Sequence, residues 1–347
     1  MMIRFSLFSI LDVYGDGSRA CFSRYQQCLE QIVSADLLSF DAYWVGEHHS
    51  SLDPHQALIC PNPAVLLAAA AQRTRRIGLR TAITNLSVRH PLLIAEDYAL
   101  VDLLSGGRLG LGLGRGSFRH EYAAVGQAAE ESRGRFAENW EIIQRLWRGE
   151  TVNFHGRYSH LEGAKLNIEP VQRPIPRHWF SAVKAESFGM RGRAAQPIIC
   201  LPHLTAERFQ TLARLVGEYR QRFLEAGGEG YELPLIFFTC LAPTRAEARQ
   251  VGRRALFAFL AHQHPASQEH LCHQIDQLQE RRQLWFGTPE DIRGFIEQYQ
   301  SVMDNRHFVF WLDFGAMEQE YVVRSMHLLA EEVISRFKGT EERANRA

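Results

Sequence analysis

Two short stretches of this chain bring together residue types that do chemistry. The first is FDAYWVGEHH, residues Phe40 to His49. Tyr43, Trp44 and Val45 favour a pleated, packed segment. Gly46 then loosens the backbone, and Glu47, His48 and His49 follow at once. Titratable groups at the C-terminal end of a strand are where α/β enzymes place their chemistry. One of the two histidines is therefore the first candidate for a catalytic group, since imidazole titrates near neutral pH. The alternative is a loop of solvated polar residues.

The second stretch is LSGGRLGLGLGRGSFRHEY, Leu104 to Tyr122. Gly110, Gly112 and Gly114 alternate and face one side of a strand. A face without side chains admits a flat ligand or another backbone, or it is a small-residue layer filling a barrel. Arg115 and Gly116 end the strand with a permanent cation and a flexible residue, which suits a phosphate. It is not a dinucleotide fingerprint, because position 117 is Ser where the third glycine would stand. Later, Glu186 and Ser187 in VKAESFGM open a helix and offer a hydroxyl and backbone N–H groups to an anion. Glu96 and Asp97 read as helix-dipole compensation. The cluster AHQHPASQEHLCHQ, with His262, His264, His270, Cys272 and His273, reads as a polar insertion, and no metal site is expected.

Strand–helix alternation positions these groups. Strands are expected at 4–10, 42–46, 77–84, 109–113, 179–183, 197–201, 235–241 and 307–312, with helices between them. Thr244 with Glu247 reads as a capping box. Eight such units predict an α/β fold, a parallel (β/α)8 TIM barrel with insertions, as one domain over 1–347. Excursions are expected at about 151–168, as a hairpin, and at about 261–286. The second is polar and long for a connection, and so a candidate lid.

Composition narrows the class. Lys plus Arg and Asp plus Glu each total 39, with no basic face or tail, which argues against nucleic acid as a partner. The longest apolar run, Ala64 to Ala71, falls well short of the roughly 20 residues of a membrane span. The six cysteines form no C-x-x-C pair, and the N-terminal MMIRFSLFSI lacks a signal-peptide pattern, so a cytoplasmic setting is expected.

These motifs, in this order, resemble the bacterial luciferase-like, flavin-dependent monooxygenase family. FDAYWVGEHH is similar to its second-strand motif. RIGLRTAITNLSVRHPLLIAEDYALVDLLSGGRLGLGLGRG is similar to its central signature, AESFGMRGRAAQ to its fifth-strand segment and GTPEDI to its late turn. The resemblance implies a (β/α)8 barrel, His48 as the catalytic histidine, and Arg115 holding the phosphate of FMN. It also implies Gly114 and Gly116 beside that arginine, with Glu186 and Ser187 near the phosphate. Ala82 and Ile83 match a place where the backbone bends beneath the flavin ring, often with a non-proline cis bond. The implied activity is oxygenation of a small organic substrate, with reduced FMN from a transient flavin reductase and dioxygen adding at flavin C4a to give a peroxide. A homodimer is expected. Two other readings stay open: deazaflavin-dependent hydride transfer on the same fold, and a flavin-binding subunit without catalysis. Met190 stands where luciferase has threonine, Ser50 where an aromatic often follows the histidine pair, and Ser87 where many relatives have proline. Transfer of luciferase's own substrate is therefore not implied.

Overall fold

Apolar runs such as PLIFFTCL, in which all eight residues are buried, are what a strand covered on both faces requires. The computed structural model, which describes residues 2–15, 17–51, 56–263 and 268–338, assembles such runs into one curled parallel sheet. Its strands are β1 (Arg4–Ser9), β2 (Ala42–Val45), β3 (Gly78–Asn85), β4 (Leu109–Gly114), β5 (Arg177–Ser181), β6 (Ile198–Ile199), β7 (Pro234–Leu241), β8 (Leu284–Gly287) and β9 (His307–Trp311). The order is β6-β5-β4-β3-β2-β1-β9-β7-β8. Beyond β6, Cys200 makes one parallel bridge to Leu235, with Cys200 N donating to Pro234 O (3.1 Å) and Ile236 N to Cys200 O (3.0 Å).

Side chains of period two divide the core into two layers. Phe237 faces the helices, stacked on Trp285 at 4.2 Å, whereas Phe238 faces the concave side, stacked on Trp311 at 4.3 Å. At the N-terminal ends of the strands the concave side is plugged by charge. Arg80 lies between Trp44 and Trp179, its Cζ 5.0 and 4.7 Å from their rings. Burial lowers its guanidinium to about 10. Glu232 meets His307 Nδ1 at 2.6 Å and Arg4 at 3.0 Å. Burial would raise the Glu232 carboxyl, but His307, Arg80 and Arg4 outweigh it and hold it well below the usual range.

Helices take their caps from the sequence. Asn62 accepts from Ala64 N at the start of the helix Pro63–Arg73, and Thr288 with Asp291 forms a full capping box on Pro289–Met303. The expected box at Thr244 is half made. Thr244 Oγ1 accepts from Glu247 N at 3.3 Å, while the Glu247 side chain pairs with Arg324.

Two departures from the expected layout matter. The segment 261–286 is not an irregular polar connection. Its described part carries the helix Gln268–Glu280, whose Leu271, Ile275 and Leu278 are buried in the inner core, and then β8, a ninth strand. Residues 264–267 of that segment, His264 of the histidine cluster among them, lie outside the described residues. A small hairpin, Asp12–Tyr14 with Gln56–Leu58, follows β1. In the other excursion, Val152–His155 pairs antiparallel with His160–Ala164.

Candidate active site

Past β2 the chain is tight at Gly46, where a Cβ would sit 3.2 Å from Ile10 Cγ1. Glu47 behind it is buried, and His48 and His49 are half-buried. The two imidazoles have different partners. His48 Nδ1 lies 3.0 Å from Glu121 Oε1, and the same oxygen accepts from His49 N at 2.9 Å. Glu121 is buried on the short helix Arg119–Ala124 that follows β4. A carboxylate can only accept, so His48 carries its proton on Nδ1 and presents Nε2 as the atom that can exchange one with a ligand. Its ring packs beside Phe118, centroids 5.3 Å apart. His49 instead turns Nε2 onto Glu47 Oε1 at 2.9 Å. Burial raises the Glu47 carboxyl, and the hydrogen bond that His49 donates to Glu47 raises His49, so this pair holds a proton between them.

The bare face of β4 is filled from β3 and β5. A Cβ at Gly110 would sit 2.9 Å from Trp179, one at Gly112 would run into the Thr81 carbonyl, and one at Gly114 would sit 2.5 Å from Ile83 Cδ1. The close approach is thus made by neighbouring strands, and Gly114 gives space to Ile83. The register of β3 on β4 breaks between Thr81 and Thr84, and the Ala82–Ile83 peptide is cis. Ala82 and Ile83 are partly buried against the inner core, as are Ile10, Leu201, Phe257, Met317 and Tyr321.

Beyond Gly114 the donors gather. Arg115 is exposed, with Nη1 reaching Ser132 Oγ at 3.4 Å and its carbonyl taking the Tyr122 hydroxyl. Leu113 pairs with Phe180, so Arg115 stands beside the corner where β5 turns into the helix Ala185–Arg193. From that helix Arg191 folds back over the Phe180 ring, Cζ 3.9 Å from its centre. Burial, and then the like charge of Arg115, press Arg191 down to about 10. Its Nε is buried and has no hydrogen-bond partner among the described residues; the same is true of Asn85 Nδ2. A Cβ at Gly116, whose φ is +70°, would lie 2.5 Å from that Asn85 nitrogen. Only a residue without Cβ keeps this cradle open. Glu186 and Ser187 lie in the first turn of the Arg191 helix, Glu186 exposed and Ser187 half-buried.

Two neighbouring guanidiniums, the exposed Arg115 and Arg191 with its unpaired buried Nε and its Nη1 donating to Gln196 Oε1 at 2.5 Å, form a set that suits a dianionic phosphate. Only the first of these cations was foreseen from the sequence. Glu121, Arg191 and Asn85 were not, although RHEY soon after the arginine and MRGR after the helix start carry the signal.

Comparison with known proteins gives the family. Residues 3–305 match the model of the luciferase-like monooxygenase family. The oxygenase component of flavin-dependent trigonelline monooxygenase from Acinetobacter baylyi is 26% identical, with 96% of each chain covered. F420-dependent glucose-6-phosphate dehydrogenase from Amycolatopsis mediterranei is 33% identical over 50% of this chain and 52% of its own length. The chain thus spans only about half the length of several curated relatives it matches. Among solved structures, monooxygenase RslO1 from Streptomyces bottropensis superposes with a TM-score of 0.83 at 27% identity, covering 96% of this chain and 100% of that one. Flavin-dependent monooxygenases and F420-dependent oxidoreductases both stand among the relatives, and the chain belongs to the luciferase-like monooxygenase family.

Proposed function

We propose that this chain is the oxygenase of a two-component flavin monooxygenase. It takes reduced FMN from a separate reductase and uses dioxygen to oxygenate a small organic substrate. The observation that carries the reading is the segment Arg115–Glu121. One end joins the cationic pair with Arg191, and the other fixes His48 through Glu121. The trigonelline relative is named a flavin-dependent oxygenase component, which supports the partner reductase.

Arg115 and Arg191 would hold the phosphate, with Ser187 and the N–H groups of its helical turn beside them. The bulge in β3 brings Ala82 and Ile83 to the mouth as a seat for the ring. Reduced FMN, when bound, supplies the electrons that activate dioxygen. His48 holds or moves a proton at Nε2, oriented by Glu121. Ile10, Leu201, Phe257, Met317 and Tyr321 make the surroundings apolar and exclude water.

The same reading takes residues 1–347 as one domain, a (β/α)8 barrel that closes between β6 and β7. The Cys200–Leu235 bridge supports that closure. A homodimer is supported by exposed Val65, Leu93, Leu100, Leu103 and Leu104 on the adjoining helices Pro63–Arg73 and Pro91–Ser105. No helix among the described residues is long and apolar enough to cross a membrane. The cytoplasmic assignment rests on six cysteines that are all unpaired thiols.

The F420-dependent relatives favour the second reading, hydride transfer to or from a deazaflavin. Rapid mixing separates the two. Reduced FMN with the chain in aerated buffer should reoxidise at a rate different from free reduced FMN, and His48→Ala should change that rate again. If the chain leaves FMN reoxidation untouched but binds F420, the proposal fails in favour of the second reading.

A further inference from the structure

We propose that the hairpin 152–164 carries a site for a divalent transition-metal ion, held by His155, His160 and Glu162. The site is separate from the flavin reading and does not rest on it. The hairpin has two faces of alternating character. Val152 and Leu161 are buried and Phe154 half-buried, so this face packs on the domain. His155, His160 and Glu162 are all exposed and project the other way. His155 and His160 are directly opposite across the ladder, closing a four-residue turn in which Gly156 N donates to Ser159 O at 2.9 Å. Glu162 is two residues beyond His160 and so shares its face.

The ladder brings the imidazoles together edge to edge. His155 Nδ1 and His160 Nδ1 are 3.1 Å apart, with ring centroids at 4.4 Å. Two neutral rings in this position satisfy each other only when one Nδ1 is protonated and the other is not. An ion between them satisfies both lone pairs at once. With metal–nitrogen bonds of about 2.05 Å, a 3.1 Å separation gives an N–metal–N angle of roughly 100°. That falls between the cis angle of an octahedral or square-planar ion and the tetrahedral angle. One ligand atom from each of the three residues lies within 4.8 Å of the others. Glu162 Oε1 rests 3.4 Å from His160 Nε2, so its carboxylate turns from that nitrogen toward the Nδ1 side to supply a third bond.

The site is also prearranged. The turn is fixed by Glu138, whose carboxylate accepts from Arg157 N (2.8 Å), Tyr158 N (2.9 Å) and Ser159 N (2.9 Å). Ser159 Oγ donates to Asn139 Oδ1 at 2.8 Å. The ligands therefore meet the ion without first ordering the backbone, which lowers the entropic cost of binding. Two imidazoles and one carboxylate select Zn²⁺, Ni²⁺ or Cu²⁺ over Mg²⁺ and Ca²⁺, which prefer oxygen ligands. Water completes the shell on the open side, so the ion would exchange freely and clamp the two strands.

The test is calorimetric titration of tag-free, chelator-stripped full chain with Zn²⁺. The expected result is about one equivalent bound, at least about tenfold weaker in both His155→Ala and His160→Ala, and no heat with Mg²⁺. His273→Ala is the control for histidines elsewhere and should titrate as wild type. The substituted side chains are exposed, so far-ultraviolet circular dichroism should be unchanged. Wild-type affinity retained within about twofold in either hairpin variant would overturn the proposal, as would loss of binding in His273→Ala.

Discussion

Removing the Arg115 guanidinium tests the phosphate end of the site most directly. Its neighbour Arg191 has a buried Nε with no partner and a charge pressed down by burial and by Arg115. An anion relieves both costs, so these two arginines should contribute to affinity for the phosphate and to nothing else in the ligand. A charge-assisted hydrogen bond contributes about 1.5–3 kcal/mol, roughly 10- to 150-fold in Kd. Arg115 is exposed, and water weakens its field toward the low end: a pair of unit charges about 4 Å apart is worth about 1 kcal/mol in bulk water and about 4 near a protein surface. Arg115→Ala should therefore weaken FMN binding roughly tenfold. Arg191→Gln, at the more buried cation, should weaken it by up to about 150-fold. Riboflavin, which lacks the phosphate, should bind both variants within about twofold of wild type. Fluorescence titration of the two flavins against each variant reads this directly. Salt adds a second reading, since FMN affinity should fall as ionic strength rises, less steeply in each variant than in the parent chain, while riboflavin affinity should not. The ligand-free Arg115→Ala chain should be no less stable than the parent, because a like charge has been removed from beside Arg191. If both flavins lose affinity by the same factor, Arg115 supports the fold and the phosphate assignment is wrong.

Other outcomes follow from the same geometry. His48→Ala should keep FMN affinity within about twofold and lower turnover by about 10²- to 10⁴-fold in steady-state assays, and a larger loss in His49→Ala would show that the wrong imidazole has been chosen. Leu100→Glu, on the exposed apolar face of the helix Pro91–Ser105, should convert a dimer to a monomer by light scattering; unchanged mass would exclude that face as the interface. Burial raises Asp12 from 3.8 to about 6, so the folded chain binds that proton more tightly than the unfolded chain. Its contribution is full below about 3.8 and is lost as pH rises through about 6, and Asp12→Asn should flatten that part of the stability profile by about 1–3 kcal/mol in urea titrations at pH 4 and pH 7. An identical pH slope in the variant would move the effect to Asp313, which shares Arg24 with Asp12.

Much of the architecture was legible because its signals are local. Each expected strand is an apolar run bounded by turn residues, and all eight are present in the sheet. The ninth, β8, is only Leu-Trp-Phe-Gly between a polar helix and the turn at Thr288, too short for its period to show. The helix before it was hidden by composition. Leu271, Ile275 and Leu278 keep helical spacing, but glutamines and histidines surround them. The site divides along the same line. The His48–His49 pair and Arg115 stand at strand ends, where sequence position marks them as candidates, and only the family resemblance singles out His48. Glu121 matters through a hydrogen bond to a residue 73 positions earlier, and Arg191 through a side chain that folds back across Phe180. The first contact lies beyond any local window, and the second depends on a side-chain direction that spacing does not show. The glycine face left two physical readings open, and its answer lay in β3, whose backbone and Ile83 fill the space.

The adjacent histidines resolve into different duties once their second partners are counted. Freeing His49 to serve a ligand would break its bond to Glu47, and Glu47 is buried with its other oxygen already unpaired among the described residues. A buried carboxylate that loses its side-chain hydrogen-bond donor is costly, which favours a structural duty for the His49 ring. His48 carries no such debt. Glu121 takes its Nδ1 and also takes the backbone N–H of His49, so the carboxylate stays satisfied whichever way a proton moves at His48 Nε2. That same carboxylate sits six residues past Arg115, in the segment that ends β4. On the proposed function, a ligand phosphate drawn to Arg115 would engage the loop that holds the imidazole in place, and would thereby join binding at one end of the site to proton transfer at the other.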